Sequence, residues 1–261
     1  MKSLHTASTG MMAQQLNVEV ISNNIANMRT TGYKRQRAEF QDLLYQNLRR
    51  QGASTSANGS TVPSGIQVGV GVKTGATYRI MSQGSLAFTE KKLDVAIRGE
   101  GFFQIELPSG QTGYTRDGTF ERDANGNLVT LDGYQIVPNI VIPDNARDIS
   151  IGKNGTVEVF LDEDTAAVNV GQITLARFAN KAGLEAIGDN LLLETPSSGT
   201  PNVSVATNAG TGSILQNFVE QSNVNAVQEI SELITAQRAY EMNSKVITVS
   251  DEMMSVTARL K

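Results

Sequence analysis

The chain has no cysteine, no tryptophan and one histidine, His5, in 261 residues. Without cysteine there is no disulfide, no thiol nucleophile and no thiolate metal site. The lone histidine falls inside a predicted terminal helix, where a surface or packing role is expected rather than a place in a catalytic triad, and one histidine excludes a His-rich metal centre. Aromatic residues make up only 5% of the chain. Charge of one sign is also scarce: the net charge is -4, which gives no electrostatic reason to expect nucleic acid or an anionic membrane as a partner. The basic group Arg29, Lys34, Arg35 and Arg37 is short and lacks interleaved aromatics, so it reads as a solvated face or a subunit contact. No stretch approaches the roughly 20 apolar residues that a membrane helix requires, so no membrane insertion is expected. The N-terminus lacks the continuous apolar run of a secretory signal; if the protein leaves the cytoplasm, it uses a route that does not read one.

What is present divides into helical ends and a β-rich middle. At the N-terminus Leu4, Ala7, Met11, Val18, Ile21, Ile25 and Met28 fall on a 3-4 spacing, with Gln14 the polar entry. That spacing predicts a coiled-coil-like seam on a helix ending near Thr30-Thr31-Gly32. Asn23, Asn24 and Asn27 lie on the other side of this helix, where hydrogen bonding to a neighbour would account for them. At the C-terminus Asn225 with Gln228 predicts an N-cap and its capping-box partner. Ala239, Met242, Val246, Val249, Met253, Val256 and Leu260 then form one stripe, and Leu233, Tyr240, Ile247 and Met254 a second beside it. A face this broad requires neighbours on more than one side. Met11, Met12, Met28, Met242, Met253 and Met254 cluster in these ends; they read equally as core filling or as a surface that repacks against neighbours.

Between the ends the period becomes two: Leu93, Val95 and Ile97, then Phe103, Ile105 and Leu107, with a bend or hairpin at Gly99-Glu100-Gly101. Asn125-Gly126 and Asn154-Gly155 predict tight turns. Two polar stretches, 51–65 and 194–213, have almost nothing to bury. The expected fold class is α+β: N- and C-terminal amphipathic helices paired in a coiled-coil-like domain (1–45 with 215–261), a central antiparallel β-domain (93–177), and extended connecting segments (46–92 and 178–214).

Catalytic candidates are few. Asp123-Ala124-Asn125-Gly126-Asn127 resembles a calcium loop briefly, but Tyr134 stands where the bidentate glutamate belongs, so a turn is expected. Gly69-Val70-Gly71 lacks the third glycine and the lysine of a phosphate loop. Asp162, Glu163 and Asp164 read as solvated acids. No catalytic, cofactor or metal residue is assigned. A glycan-acting enzyme would need a cleft with paired carboxylates of divergent pKa, for which there is no motif. A coiled-coil adhesin would carry one long stalk rather than two separated helices.

Ser22-Asn23-Asn24-Ile25-Ala26-Asn27 followed by Thr31-Gly32-Tyr33-Lys34 resembles the N-terminal signature of the bacterial flagellar rod and hook axial proteins. Asn223-Val224-Asn225, Glu229, Leu233-Ile234 and Ala236 to Glu241 with Asn243 resemble their C-terminal signature. Glu100 to Phe103, Tyr114 to Gly118 and Gly126 to Thr130 resemble their shared central domain, so the likeness spans nearly the whole chain in order. Length, residues 46–65, Gly69 to Val72 and Gln83-Gly84 are similar to the distal-rod branch, with a proximal rod subunit of comparable size as the alternative. The resemblance implies a helical homopolymer that transmits motor torque to the hook and needs no cofactor. It also implies contacts with proximal rod and hook or junction subunits and with the surrounding rings. Delivery would be by the flagellar export apparatus to the basal body, in the periplasm and up to the outer membrane, without a cleaved signal. The subunit interface expected from the terminal stripes is Leu4, Met11, Val18, Ile21, Ile25, Met28, Leu233, Tyr240, Met242, Val246, Val249, Met253, Val256 and Leu260.

Overall fold

A computed structural model describes residues 2–52, 63–161 and 166–259. Leu260, the acids at 162–164 and most of the 51–65 stretch lie outside the described residues. The chain divides into two compact units. The first takes residues 1–25, 36–78 and 225–261, and the second takes 26–35 and 79–224.

In the first unit, α1 (Lys2–Ala26) and α2 (Ala226–Arg259) lie against each other. Asn225 caps α2 as expected: its Oδ1 accepts the N–H groups of Val227 (3.1 Å) and Gln228 (3.3 Å). The Gln228 side-chain amide donates to Glu232 Oε1 at 3.0 Å. Glu229 in the first turn and Arg259 in the last have the charges that the helix dipole favours. α1 ends earlier than expected. Gly32 does not cap it; its N–H is given to the Glu220 carbonyl at 2.8 Å, a partner far along the chain that local reading could not supply. Between the helices in sequence, β1 (Gln36–Asp42), β2 (Tyr45–Arg49), β3 (Ile66–Gly69) and β4 (Val72–Arg79) pair β1 with β4 and β2 with β3. The β2–β3 ladder is antiparallel with a register shift near Asn47, and β2 is exposed throughout.

The second unit is antiparallel β-structure. Its strands are β5 (Leu86–Phe88), β6 (Val95–Arg98), β7 (Phe102–Glu106), β8 (Thr112–Thr115), β9 (Glu121–Arg122), β10 (Leu128–Val129), β11 (Gln135–Ile136), β12 (Ala146–Ile151), β13 (Thr156–Leu161) and β14 (Ala167–Gln172). They continue with β15 (Thr174–Arg177), β16 (Glu185–Gly188), β17 (Leu191–Leu193), β18 (Asn202–Val205), β19 (Ser213–Gln216) and β20 (Phe218–Glu220). A nine-stranded sheet is centred on β7, which pairs with β8, β11 and β15. A three-stranded sheet runs β12-β13-β14, and β19–β6 and β20–β5 are two-stranded. Inward-facing residues of period two build the core: Val95, Ile97, Phe103, Ile105, Phe120 and Leu175 are among its members. Phe103 meets Phe120 edge-to-face at 5.2 Å, a preferred aromatic geometry. Asn125-Gly126 and Asn154-Gly155 both fall in turns, joining β9 to β10 and β12 to β13. The Gly99-Glu100-Gly101 bend is not a hairpin, since β6 pairs with β19 while β7 lies in the large sheet.

Candidate functional site

The buried residues of the two helices are mostly small or polar: Ala7, Ala13 and Asn24, with the larger Val20 and Ile21, from α1, and Glu229, Ala236 and Ser250 from α2. Gly10 faces Asn243 across the seam between α1 and α2, and Ser250 meets Ser3 at 3.3 Å. A cavity of about 160 Å³ remains near the chain ends, lined by Ser3, Leu4, Ser250, Met253, Met254 and Thr257. Close helix approach through small side chains buries little apolar area per residue. The register is set instead by a polar cluster. Asn24 is 1% exposed. Its Nδ2 donates to the Gln36 carbonyl (2.8 Å) and to Glu229 Oε2 (3.0 Å), and its Oδ1 accepts the Gln36 N–H (2.8 Å). The asparagine face was expected to bond to a neighbouring molecule; Asn24 bonds within its own chain.

The expected interface residues therefore separate. Ile21 is buried, and Leu4, Met11, Val18, Ile25 and Leu233 are half-buried. Met28, Tyr240, Met242, Val246, Val249, Met253 and Val256 are exposed. Met242, Val246, Val249, Met253 and Val256 join Val227, Ile230 and Ile234, also exposed, in one outward stripe along the helix, with Tyr240 beside it. Its steps are three or four residues, with Arg238 the polar entry. Val227, exposed at 79%, marks its start. The ribbon adds Leu44, Tyr45, Leu48 and Ile66 to the exposed apolar surface of the same unit.

Nothing comparable assembles for chemistry among the described residues. His5 is exposed on α1. The Asp123 carboxylate accepts the N–H groups of Asn125 (2.8 Å) and Asn127 (2.7 Å) and the Asn127 amide (2.9 Å). The Asn127 bond holds its pKa below the ordinary value, as expected of a self-satisfied turn. Among the described residues no group of three or more His, Cys, Asp or Glu could hold a metal ion. No described helix is long and apolar enough to cross a membrane.

Local reading missed the buried charges of the second unit. Lys34 was expected on a solvated face or in a subunit contact; it is 5% exposed, and its Nζ lies 2.5 Å from Glu220 Oε1. Arg116, also buried, places Nε 3.7 Å from Glu220 Oε2 and its guanidinium over the Phe102 ring. Two cations share one carboxylate, and desolvation by burial lowers the pKa of both Lys34 and Arg116 against the pull of Glu220. These three residues lie in unrelated segments, and no spacing rule connects them.

The first unit is a helix pair with an exposed apolar stripe, and the second is sheet-rich. The comparisons give the class: residues 4–34 match the family described as Flagella basal body rod protein, residues 96–159 the Flagellar hook protein FlgE/F/G D1 domain, and residues 215–260 the Flagellar basal body rod FlgEFG protein C-terminal. The chain belongs to the flagellar rod and hook axial family. It is 57% identical to the flagellar basal-body rod protein FlgG of Caulobacter vibrioides over 100% of both chains. It is 54% identical to that of Agrobacterium fabrum over 99% of both, and 39% identical to that of Bacillus subtilis over 100% of this chain and 99% of the relative.

Proposed function

We propose that this chain is the structural subunit of the distal rod and polymerises into a helical homopolymer that carries motor torque to the hook. Full-length similarity to rod proteins supports a rod subunit. The observation that carries the polymer reading is the outward stripe of α2, Val227 to Val256. A monomeric protein rarely leaves so long a contiguous apolar face uncovered. A second copy covers that face and repeats the contact without closing, which generates a helical polymer. In this reading residues 1–45 and 215–261 form the polymer core. Proximal rod and hook subunits meet the ends of the polymer, and the basal-body rings surround it. Export delivers the subunits to the periplasmic side, where the rod reaches the outer membrane.

The test is removal of the coding sequence followed by electron microscopy of isolated basal bodies. The expected result is basal bodies that keep the proximal rod and lack the distal rod and hook, restored by the intact chain. Complete hook-basal bodies in the deletion strain would overturn the proposal.

A further inference from the structure

Every covalent route between the two units passes through residues 26–35, 79–86 or 220–224, all belonging to the second unit. These three segments are sewn together. The Gly32 N–H donates to the Glu220 carbonyl at 2.8 Å, the Ile80 N–H to the Arg35 carbonyl at 2.8 Å, and the Gln221 N–H to the Ser85 carbonyl at 2.8 Å. Asn223 Oδ1 accepts the Arg35 N–H at 2.7 Å, while its Nδ2 donates to the carbonyls of Ile80 (2.8 Å) and Ser82 (3.1 Å). Lys34 Nζ donates to the Ser82 carbonyl at 2.9 Å, and Glu220 Oε1 accepts the Gly84 N–H at 2.9 Å. Gly84 is required there: a Cβ would stand 1.8 Å from the Gln221 carbonyl oxygen. Arg116 reaches the centre from the end of β8 and fixes itself to the Gly99 carbonyl at 2.7 Å. Glu220 is fully buried.

We propose that Lys34, Arg116, Glu220 and Asn223 are positioning residues that bind the three crossing segments into one cooperative joint, so that force entering along one segment is shared by all three. The sharing of force rests on the rod reading; the cooperativity of the joint does not. Separate linkers would each need only their own local bonds. Here a single carboxylate and a single amide each serve more than one segment, so loss of either is felt by segments it does not touch. A buried ion cluster is weak as a source of net stability but strong in fixing one arrangement, because any partner left alone is penalised.

Hydrogen exchange on the full-length soluble chain tests the joint. Asn223→Ala removes the bonds to Arg35, Ile80 and Ser82. The amides of Gly32, Gly84 and Gln221, which Asn223 does not touch, should exchange faster together, by about 10-fold or more if they open as one unit. Glu220→Gln should conversely speed exchange at Arg35, which Glu220 does not touch. The amides of Leu128 and Val137, in the large sheet, should keep their original rates in both variants. Acceleration confined to the directly bonded amides would refute the joint, as would loss of protection throughout the sheet in both variants. The mechanical half is read separately in cells: Asn223→Ala should leave rods countable in micrographs while swimming fails at high viscosity more than in water. Rods that work equally well at high viscosity would refute force sharing and leave the exchange result standing. Failure of the original chain to enter any rod would refute the rod reading alone.

Discussion

Val249→Asp separates the two faces of α2. Val249 is 43% exposed on the outward stripe, whereas Ala236, on the seam, is 2% exposed. In the free chain an aspartate at 249 keeps its water, and the cost is about 0.5 kcal/mol or less, as for most surface changes. In a polymer that covers the stripe, the carboxylate is desolvated. Lys245, one turn earlier and exposed, offsets only about 0.3–0.5 kcal/mol of this as a same-helix pair. A net penalty of about 3 kcal/mol per contact, at the low end for a buried charge, raises the critical concentration for polymerisation roughly 150-fold. The assay is sedimentation of polymer against total protein concentration, with helix unfolding followed in parallel by circular dichroism. Val249→Asp should keep the original melting curve and fail to pellet at the original critical concentration. Ala236→Asp should do the reverse first, lowering the melting temperature of the soluble chain. Polymerisation of Val249→Asp at the original concentration, or normal motility, would show that the stripe is not the contact.

Asn24→Ala leaves the Gln36 backbone groups without their buried partners and should cost about 2–3 kcal/mol, seen as a lower urea midpoint for the helical signal; an unchanged midpoint would remove Asn24 from the register argument. Gly32→Ala forces a side chain into a conformation of φ +71 with its Cβ 2.7 Å from the Asp117 nitrogen; about 2–3 kcal/mol of destabilisation is expected, and a change below about 0.5 kcal/mol would contradict the geometry. Burial holds the Asp117 carboxyl above its ordinary value, opposed by hydrogen bonds from Thr119 and Asn190 and assisted by Asp94. The folded state thus binds its proton more tightly than the unfolded chain, and stability from this group falls as pH rises above 3.8 through the raised folded value. Asp117→Asn should gain on the original chain as pH rises across that window in pH-dependent melts, and a constant difference would refute the assignment. Deleting 46–63, which includes residues outside those described, should leave polymers that curve in micrographs; straight ones would make the segment an ordinary loop.

The legibility of the molecule follows the range of its interactions. The 3-4 periodicity placed both helices because amphipathic spacing is a property of one element. Asn125-Gly126 and Asn154-Gly155 were readable as turns because their backbone geometry is local. What faces what was not readable. The stripe ending at Met253 and Val256 is the more apolar face of α2, yet α1 packs on the face of Glu229, Ala236 and Ser250. Polarity alone assigns the larger residues to the nearest partner, and here that assignment fails. The Lys34–Glu220–Arg116 cluster was invisible for a related reason. A lysine beside arginines reads as solvated until a carboxylate 186 residues away is brought to it, and only tertiary structure does so.

The division of residues between the two faces also bears on how strong one polymer contact is. Eight apolar side chains on the α2 stripe, from Val227 to Val256, are about half exposed. Covering the open half of each is worth roughly 1 kcal/mol, or about 8 kcal/mol for the stripe. Association itself costs about 4–15 kcal/mol in lost translational and rotational freedom. The stripe alone therefore comes near break-even and cannot hold two subunits together. In a helical lattice each subunit is held by several neighbours at once, and the cost of immobilising it is met once while the contacts add. The exposed apolar residues of the ribbon, Leu44, Tyr45, Leu48 and Ile66, are of the size to make up the difference. A contact too weak in pairs and sufficient in a lattice favours growth on an existing end over association in solution.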